Sequence, residues 1–268
     1  MSSDIIFSIV AKGKERKADL LHLLNDLRNL KFKVYVLTDL DIDFKYYLFN
    51  NVTIVKDTNT WSCFDRYKIT NHVFDVTDTS YVYNIDCDCR FTDYRNIPYN
   101  RYKFIDLLDS INFDILFSWD LGEPTGPEWH LRSVDEDEYR PILPIRYYNY
   151  GFDSVIEFLK QDLPNYKQSL KETSPACPLE SVLIFRRSNQ VQNFILNLQK
   201  LGDMILVEHK KCGRISGPVS SFAMALYVDK YNINMLQSPI VCHHFWSNFL
   251  NEIPLWGSWT EKEFSIYT

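Results

Sequence analysis

The chain has 268 residues, 46% hydrophobic and 24% charged, a balance that excludes a disordered polymer and leaves room for one large α/β core. Its formal charge is −6, with 29 Lys and Arg against 35 Asp and Glu, and no basic block of the kind that grips phosphate backbones independently of sequence. Nucleic acid is therefore disfavoured as a tightly held partner, although a local basic cleft on an acidic protein still suits a ligand carrying a few phosphates. Aromatic residues make up 15% of the chain, many in polar company, which suits sugar-stacking clefts as well as core and strand positions. Cysteines at 63, 87, 89, 177, 212 and 242 lack the density of a disulfide framework. The opening segment shows neither a signal peptide nor a membrane anchor, so the expectation is a cytoplasmic protein.

In chain order, Ile5 to Ala11 reads as a buried strand. Lys14 to Leu30 follows with apolar residues at Ala18, Leu20, Leu21, Leu23, Leu24 and Leu27, at helical spacing. Lys33 to Thr38 and Val52 to Val55 read as strands, Phe64 to Val76 as a helix, and Tyr81 to Ile85 as a strand running into Asp86. Strands alternating with helices predict parallel βαβ units, because parallel neighbours need a crossover. In such sheets ligands gather beyond the carboxyl ends of the strands, where Ala11, Lys12, Thr38, Asp39 and Asp86 fall.

The second half is less regular. Asp114 to Trp119 and Glu180 to Phe185 read as strands, Val191 to Leu201 as a helix, Met204 to Val207 as a strand, and Ser220 to Tyr231 as a helix. A tail rich in His and Trp, Val241 to Trp259, shows little periodicity. With no repeat or low-complexity linker, the prediction is a single compact unit over 1–268. Within it, 1–115 forms a Rossmann-like nucleotide-sugar-binding half, 116–240 an acceptor-side half, and 241–268 a tail that closes the site. A mixed central sheet flanked by helices would join the halves.

Tyr81 to Phe91, YVYNIDCDCRF, carries the clearest chemical signal: an apolar strand ending in two carboxylates one residue apart. Extended chain has a side-chain period of two, so Asp86 and Asp88 are expected on one side and Cys87 and Cys89 on the other. Such paired oxygens suit Mn²⁺ or Mg²⁺, which commonly take one or two protein carboxylates and complete their shell with phosphate and water. Zinc held by Cys87 and Cys89 is the poorer reading, since C-x-C lacks the usual ligand spacing.

A strand, D-x-D and a following helical stretch resemble the signature of GT-A fold glycosyltransferases, the blood-group-type and glycogenin-like enzymes among them. The resemblance implies a metal-dependent transfer of a sugar from a nucleoside-diphosphate sugar, most often uridine-linked, to a hydroxyl acceptor such as a glycan. The segment Trp61 to Val76 is similar to the helix that precedes the D-x-D strand in those enzymes, which makes Arg66 and Lys68 candidates to steady the nucleotide-sugar. The tail segment CHHFWSNFLNEIPLW at Cys242 to Trp256 resembles a segment that supplies a further metal ligand, so His243 or His244 is implied in that role. Glu180, in CPLESVLIFRRS, resembles an acceptor-side carboxylate able to act as base or nucleophile, and Asp120 competes for the same task. Trp119 and Trp129 are candidates for stacking on a sugar ring. Gly213 to Ala225, GRISGPVSSFAMA, departs from the blood-group-type pattern by lacking its acidic pair. Three alternatives stay open at this point: transfer to a hydroxylated nucleic-acid base, nucleotidyl transfer to a sugar phosphate, and non-catalytic carbohydrate binding. Nucleotidyl transfer would ordinarily need a glycine-rich loop after the first strand, and AKGKER has one glycine.

Overall fold

The computed structural model describes residues 4–29, 31–43, 49–59, 61–91, 101–117, 182–209, 223–224, 227–228, 230–237 and 242–244. Strand β1 (Ile5–Ala11) leads through a short 3-10 turn, Lys14–Arg16, into helix α1 (Lys17–Asn29). Strands β2 (Lys33–Thr38) and β3 (Val52–Lys56) precede helix α2 (Asp65–Val76) and strand β4 (Tyr81–Asp86). Then come β5 (Cys89–Phe91), α3 (Arg101–Ser110), β6 (Ile115–Phe117), β7 (Val182–Arg186), α4 (Asn189–His209), β8 (Met235–Gln237) and β9 (Cys242–His244).

Seven strands form one mixed sheet in the order β3-β2-β1-β4-β7-β6-β8. The first four are parallel, as the alternating pattern requires, and β7 enters antiparallel between β4 and β6. The central strands of this sheet are buried by layers on both faces, and β1 shows how. Ile5, Phe7 and Ile9 pack with Leu20, Leu23, Leu24 and Leu27 of α1 and with Phe104 and Leu108 of α3. Ile6 turns the other way, toward Tyr67, Val73 and Phe74 of α2 and Phe194, Ile195 and Leu198 of α4. A strand buried on both faces reads as a continuous apolar run, which is what IIFSIVA is. The one polar member facing a neighbour, Ser8, accepts a hydrogen bond on Oγ from Asn84 Nδ2 of β4 at 2.9 Å, so neither is left unsatisfied.

Several predicted elements change here. Met204 to Val207 is not a strand but the last part of α4. Its β-branched, apolar composition suggests extended chain, but the spacing Val191, Phe194, Ile195, Leu198, Leu201 sets a helical stripe upstream, and the period prevails over composition. The strand expected over Asp114 to Trp119 runs from Ile115 to Phe117, with 118 and 119 outside the described residues. The strand expected over Glu180 to Phe185 is described from Val182 to Arg186, with 180 and 181 outside the described residues. Cys242–His244, in the supposedly aperiodic tail, is a strand paired with β5. Residues 223–224, 227–228 and 230 are helical, as expected for Ser220 to Tyr231.

Helices α2 and α4 lie side by side on one face, and Gly202 marks their closest approach. A Cβ at Gly202 would sit 2.4 Å from Phe64 Cβ, an atom fixed to the backbone at the start of α2. Replacing a mid-helix glycine by alanine ordinarily gains about 1 kcal/mol of helix propensity. Overpacking of about 1–3 kcal/mol opposes it here. Gly202→Ala is therefore expected to lower the thermal midpoint by a few degrees, roughly 2–4 °C per kcal/mol for a chain of this size; calorimetry showing a raised midpoint would contradict the close packing.

Candidate active site

The parallel strands end together at one edge. Ala11 of β1 lies beside Thr38 of β2, Thr38 beside Lys56 of β3, and Val10 beside Asp86 of β4. Ala11, Lys12, Thr38, Asp39 and Asp86 thus share the carboxyl edge of the sheet. Two further residues there, Asp57 and Arg16, carry charges that the sequence reading passed over. Asp57 follows β3 in the same way that Asp39 follows β2, so the strand-end rule that singled out Asp39 could have found it too.

Lys12 occupies the centre of a buried charge group. Its side chain is 1% exposed, and Nζ lies 2.9 Å from both Asp57 Oδ2 and Asp65 Oδ2. Lys68 Nζ, on the next turn of α2, donates to the same Asp57 oxygen at 2.8 Å. Asp65 also accepts from Ser62 N at 3.0 Å and sits in the first turn of α2, where the helix dipole favours a carboxylate. Burial disfavours the charged form of Asp57, but hydrogen bonds from Lys68 and Lys12 outweigh it and hold its pKa well below the usual range. For Asp65 burial dominates and pushes the carboxyl up, with Lys12 only partly offsetting it. The ammonium of Lys12, a candidate ligand contact, is thus taken up by carboxylates from β3's end and α2.

The β1–α1 turn is shaped by Gly13, whose φ of 96° is costly for any residue with a Cβ. Gly13 N donates to Asp39 Oδ1 at 2.9 Å, and Arg16 N donates to Gly13 O at 3.0 Å, closing the turn. Thr38 Oγ1 accepts from Leu40 N at 3.0 Å, fixing the departure of the chain from β2. The turn delivers Arg16 to the other half of the site, where Nη1 donates to Asp88 Oδ2 at 2.5 Å and lies 3.9 Å from Asp19 Oδ2. Arg66 Nη2 reaches Asp86 Oδ1 at 3.3 Å, while its Nε donates to Cys63 O at 3.2 Å.

Asp86 and Asp88 each meet a different guanidinium, Arg66 and Arg16, and not by the predicted route. β4 ends at Asp86, and 87–88 form a turn rather than extended chain. Cys87 and Cys89 are buried in the core cluster, and burial raises the Cys87 thiol's pKa well above its ordinary value. Asp88 is left 4% exposed on Arg16, and Asp86 28% exposed at the rim. Burial works against the charge of Arg16, but Asp88, Cys87, Asp86 and Asp19 together keep its pKa above the ordinary value.

Asp86 and Asp88 supply oxygens of the type that a hard divalent cation takes. Among the described residues Asp86 pairs with Arg66, and Asp88 and Asp19 lie within ion-pair distance of Arg16. Carboxylate oxygens with room for phosphate and water are what Mn²⁺ and Mg²⁺ accept. Among the described residues no cluster of three or more His, Cys, Asp or Glu is assembled about one point. The backbone of β9 nevertheless pairs with β5 so that His244 lies opposite Cys89 and His243 opposite Arg90, immediately after Asp88. Asp120, Trp119, Trp129 and Glu180 lie outside the described residues. No described helix is long and apolar enough to cross a membrane.

No family model matches the sequence, and no curated protein matches it either. Among solved structures it is similar to a putative glucose-1-phosphate thymidylyltransferase from Bacillus anthracis, at 9% identity over 95% of this chain and 98% of that one, with a TM-score of 0.46. It is also similar to residues 1–349 of TarS from S. aureus, at 15% identity over 88% of this chain, with a TM-score of 0.43; the match spans 59% of that segment. A cytidylyltransferase from Leptospira borgpetersenii matches at 13% identity over 88% of this chain and 76% of its own, with a TM-score of 0.39. None of these resembles the chain closely enough to assign it an activity.

Removing Lys12 should unmask the buried carboxylates. Lys12→Met is expected to cost about 3–5 kcal/mol at pH 7, the range for breaking a buried ion pair. Asp57 titrates below its unfolded value of about 3.9, so its contribution is complete above that pH and fades as pH falls below it. Asp65, shifted up, works in the opposite direction and blunts the loss on the acid side. Urea midpoints from pH 7 to 3 should show the penalty of Lys12→Met shrinking below about pH 4; a penalty independent of pH would rule out the ion-pair account.

Proposed function

We propose that the chain is a single-domain, metal-dependent glycosyltransferase of the GT-A type, acting in the cytoplasm on a nucleoside-diphosphate sugar, uridine-linked, with a glycan hydroxyl as acceptor. The observation that carries this reading is the meeting of Asp86 and Asp88 with Arg16 and Arg66 at the carboxyl edge of four parallel strands. Such an edge is where nucleotides bind in open α/β sheets, and both a divalent cation and guanidiniums suit the charge of a diphosphate. Asp86 and Asp88 would hold Mn²⁺ or Mg²⁺, with His243 or His244 as a third ligand. When bound, the ion would supply Lewis-acid neutralisation of the diphosphate leaving group. Ala11, Thr38 and Asp39 would line the base and ribose. Arg66 and Lys68 would steady phosphate or sugar, with Lys12 bracing the strand ends behind them.

In the transfer, the bond between the sugar's anomeric carbon and the diphosphate oxygen breaks, a bond to the acceptor oxygen forms, and the acceptor's proton passes to a carboxylate, Glu180 or Asp120. Binding geometry and leaving-group stabilisation would supply most of the rate. Nucleotidyl transfer uses the same strand edge but calls for free backbone N–H groups after the first strand. Gly13 N–H is already accepted by Asp39, which favours glycosyl transfer.

Release of nucleoside diphosphate from a panel of nucleotide-sugars, with and without Mn²⁺, tests the reading. Asp86→Ala is the variant of choice, because Asp86 is partly exposed and its partner Arg66 keeps Cys63 O as an acceptor, whereas Asp88 is buried and is the nearest carboxylate to Arg16. Metal-dependent release should fall by at least about a hundredfold in Asp86→Ala. Pyrophosphate released from a nucleoside triphosphate and a sugar 1-phosphate, with no nucleoside diphosphate released from the panel, would point to nucleotidyl transfer, and a folded protein that does neither would leave carbohydrate binding as the better account.

A further inference from the structure

Arg16 and Arg66 both neutralise carboxylates of the D-x-D segment, but they are held differently. Arg66 is anchored on the backbone through its Nε bond to Cys63 O, and its contact with Asp86 is the longer, at 3.3 Å. Arg16 makes its ion pairs to carboxylates alone, 2.5 Å to Asp88 and 3.9 Å to Asp19, and its side chain keeps 19% exposure. Asp88 is almost fully buried, and a carboxylate so placed must be paired. The same oxygen is where a divalent ion would bind, and a guanidinium and a divalent ion on one carboxylate repel each other strongly.

Resting on the function proposed above, we infer that Arg16 is the resident counter-ion of Asp88, surrendered when a nucleoside diphosphate arrives, and that cation binding is thereby conditional on the nucleotide. Without the nucleotide, Arg16 fills the place of the ion and weakens its binding. With it, the guanidinium gains phosphate oxygens as bidentate acceptors and releases Asp88. The location suits the exchange: Arg16 ends the turn that follows β1, at the strand edge where the diphosphate would lie.

Equilibrium dialysis of the full chain against Mn²⁺, with and without uridine diphosphate and corrected for Mn²⁺ held by the nucleotide itself, reads the coupling directly. In the natural protein, Mn²⁺ affinity should rise about tenfold or more with the nucleotide, a usual size for linked binding. In Arg16→Gln, nucleotide-free affinity should rise about tenfold and the further gain with nucleotide should largely vanish. Arg16→Lys keeps a smaller cation at the position and should raise nucleotide-free affinity about threefold, which serves if the glutamine variant fails to fold. Nucleotide-free affinity unchanged or lowered in a folded variant would overturn the role of Arg16 while leaving the function standing. Natural protein that binds no Mn²⁺ under either condition would overturn the function and this inference together.

Discussion

The site depends on one buried ammonium. Lys12 leaves the end of β1 and meets Asp57, just past β3, and Asp65, in the first turn of α2, at 2.9 Å each. Three separate pieces of chain converge on that nitrogen, and β2 is enclosed between the two strands so joined. An ion pair this deep adds little net stability compared with a well-packed apolar substitute, because desolvation offsets much of the attraction. What it does is fix position: each partner left alone would be a charge in a dry place, so no arrangement that separates them is tolerated. The β1–α1 turn begins one residue later, and its course through Gly13 sets where Arg16 emerges.

Charge is then distributed in two neighbouring groups. One, around Lys12 and Lys68, is balanced within itself and closed to solvent except along Lys68. The other joins Arg16 and Arg66 to Asp86, Asp88 and Asp19 and opens at Asp86. The first suits a scaffold, because its charges are paired and buried behind the more open second group.

The parallel half was legible in the sequence because each of its elements has a clean period. Leu20, Leu23, Leu24 and Leu27 state a helix, and IIFSIVA states a strand covered on both sides. The strand-end rule then located Thr38, Asp39 and Asp86 without any knowledge of contacts. Pairing was less legible. Nothing in the local pattern says that Lys12 is claimed by Asp57 and Asp65, which are 45 and 53 positions away, or that Arg16 reaches Asp88 across 72. Turn geometry misled at Cys87 and Asp88, where alternation in extended chain was assumed and the chain instead bends. Composition misled at Met204 to Val207, where a helical stripe begun upstream carried through an apolar run.

The position of β7 has a bearing on how the chain comes to be folded at all. β4 finds its second neighbour in β7, and β6 has only β7 and β8 beside it, all encoded well after Phe117. During synthesis at roughly 5–20 residues per second, the four parallel strands can assemble while the flank of β4 waits several seconds for Val182 to emerge. Through that interval the nascent protein presents an apolar, unpaired strand edge, Tyr81–Asp86, to every other chain nearby. Chaperone capture or crowding at the ribosome would thus act on this seam, and a reordered gene that placed β7 before β4 would close it earlier.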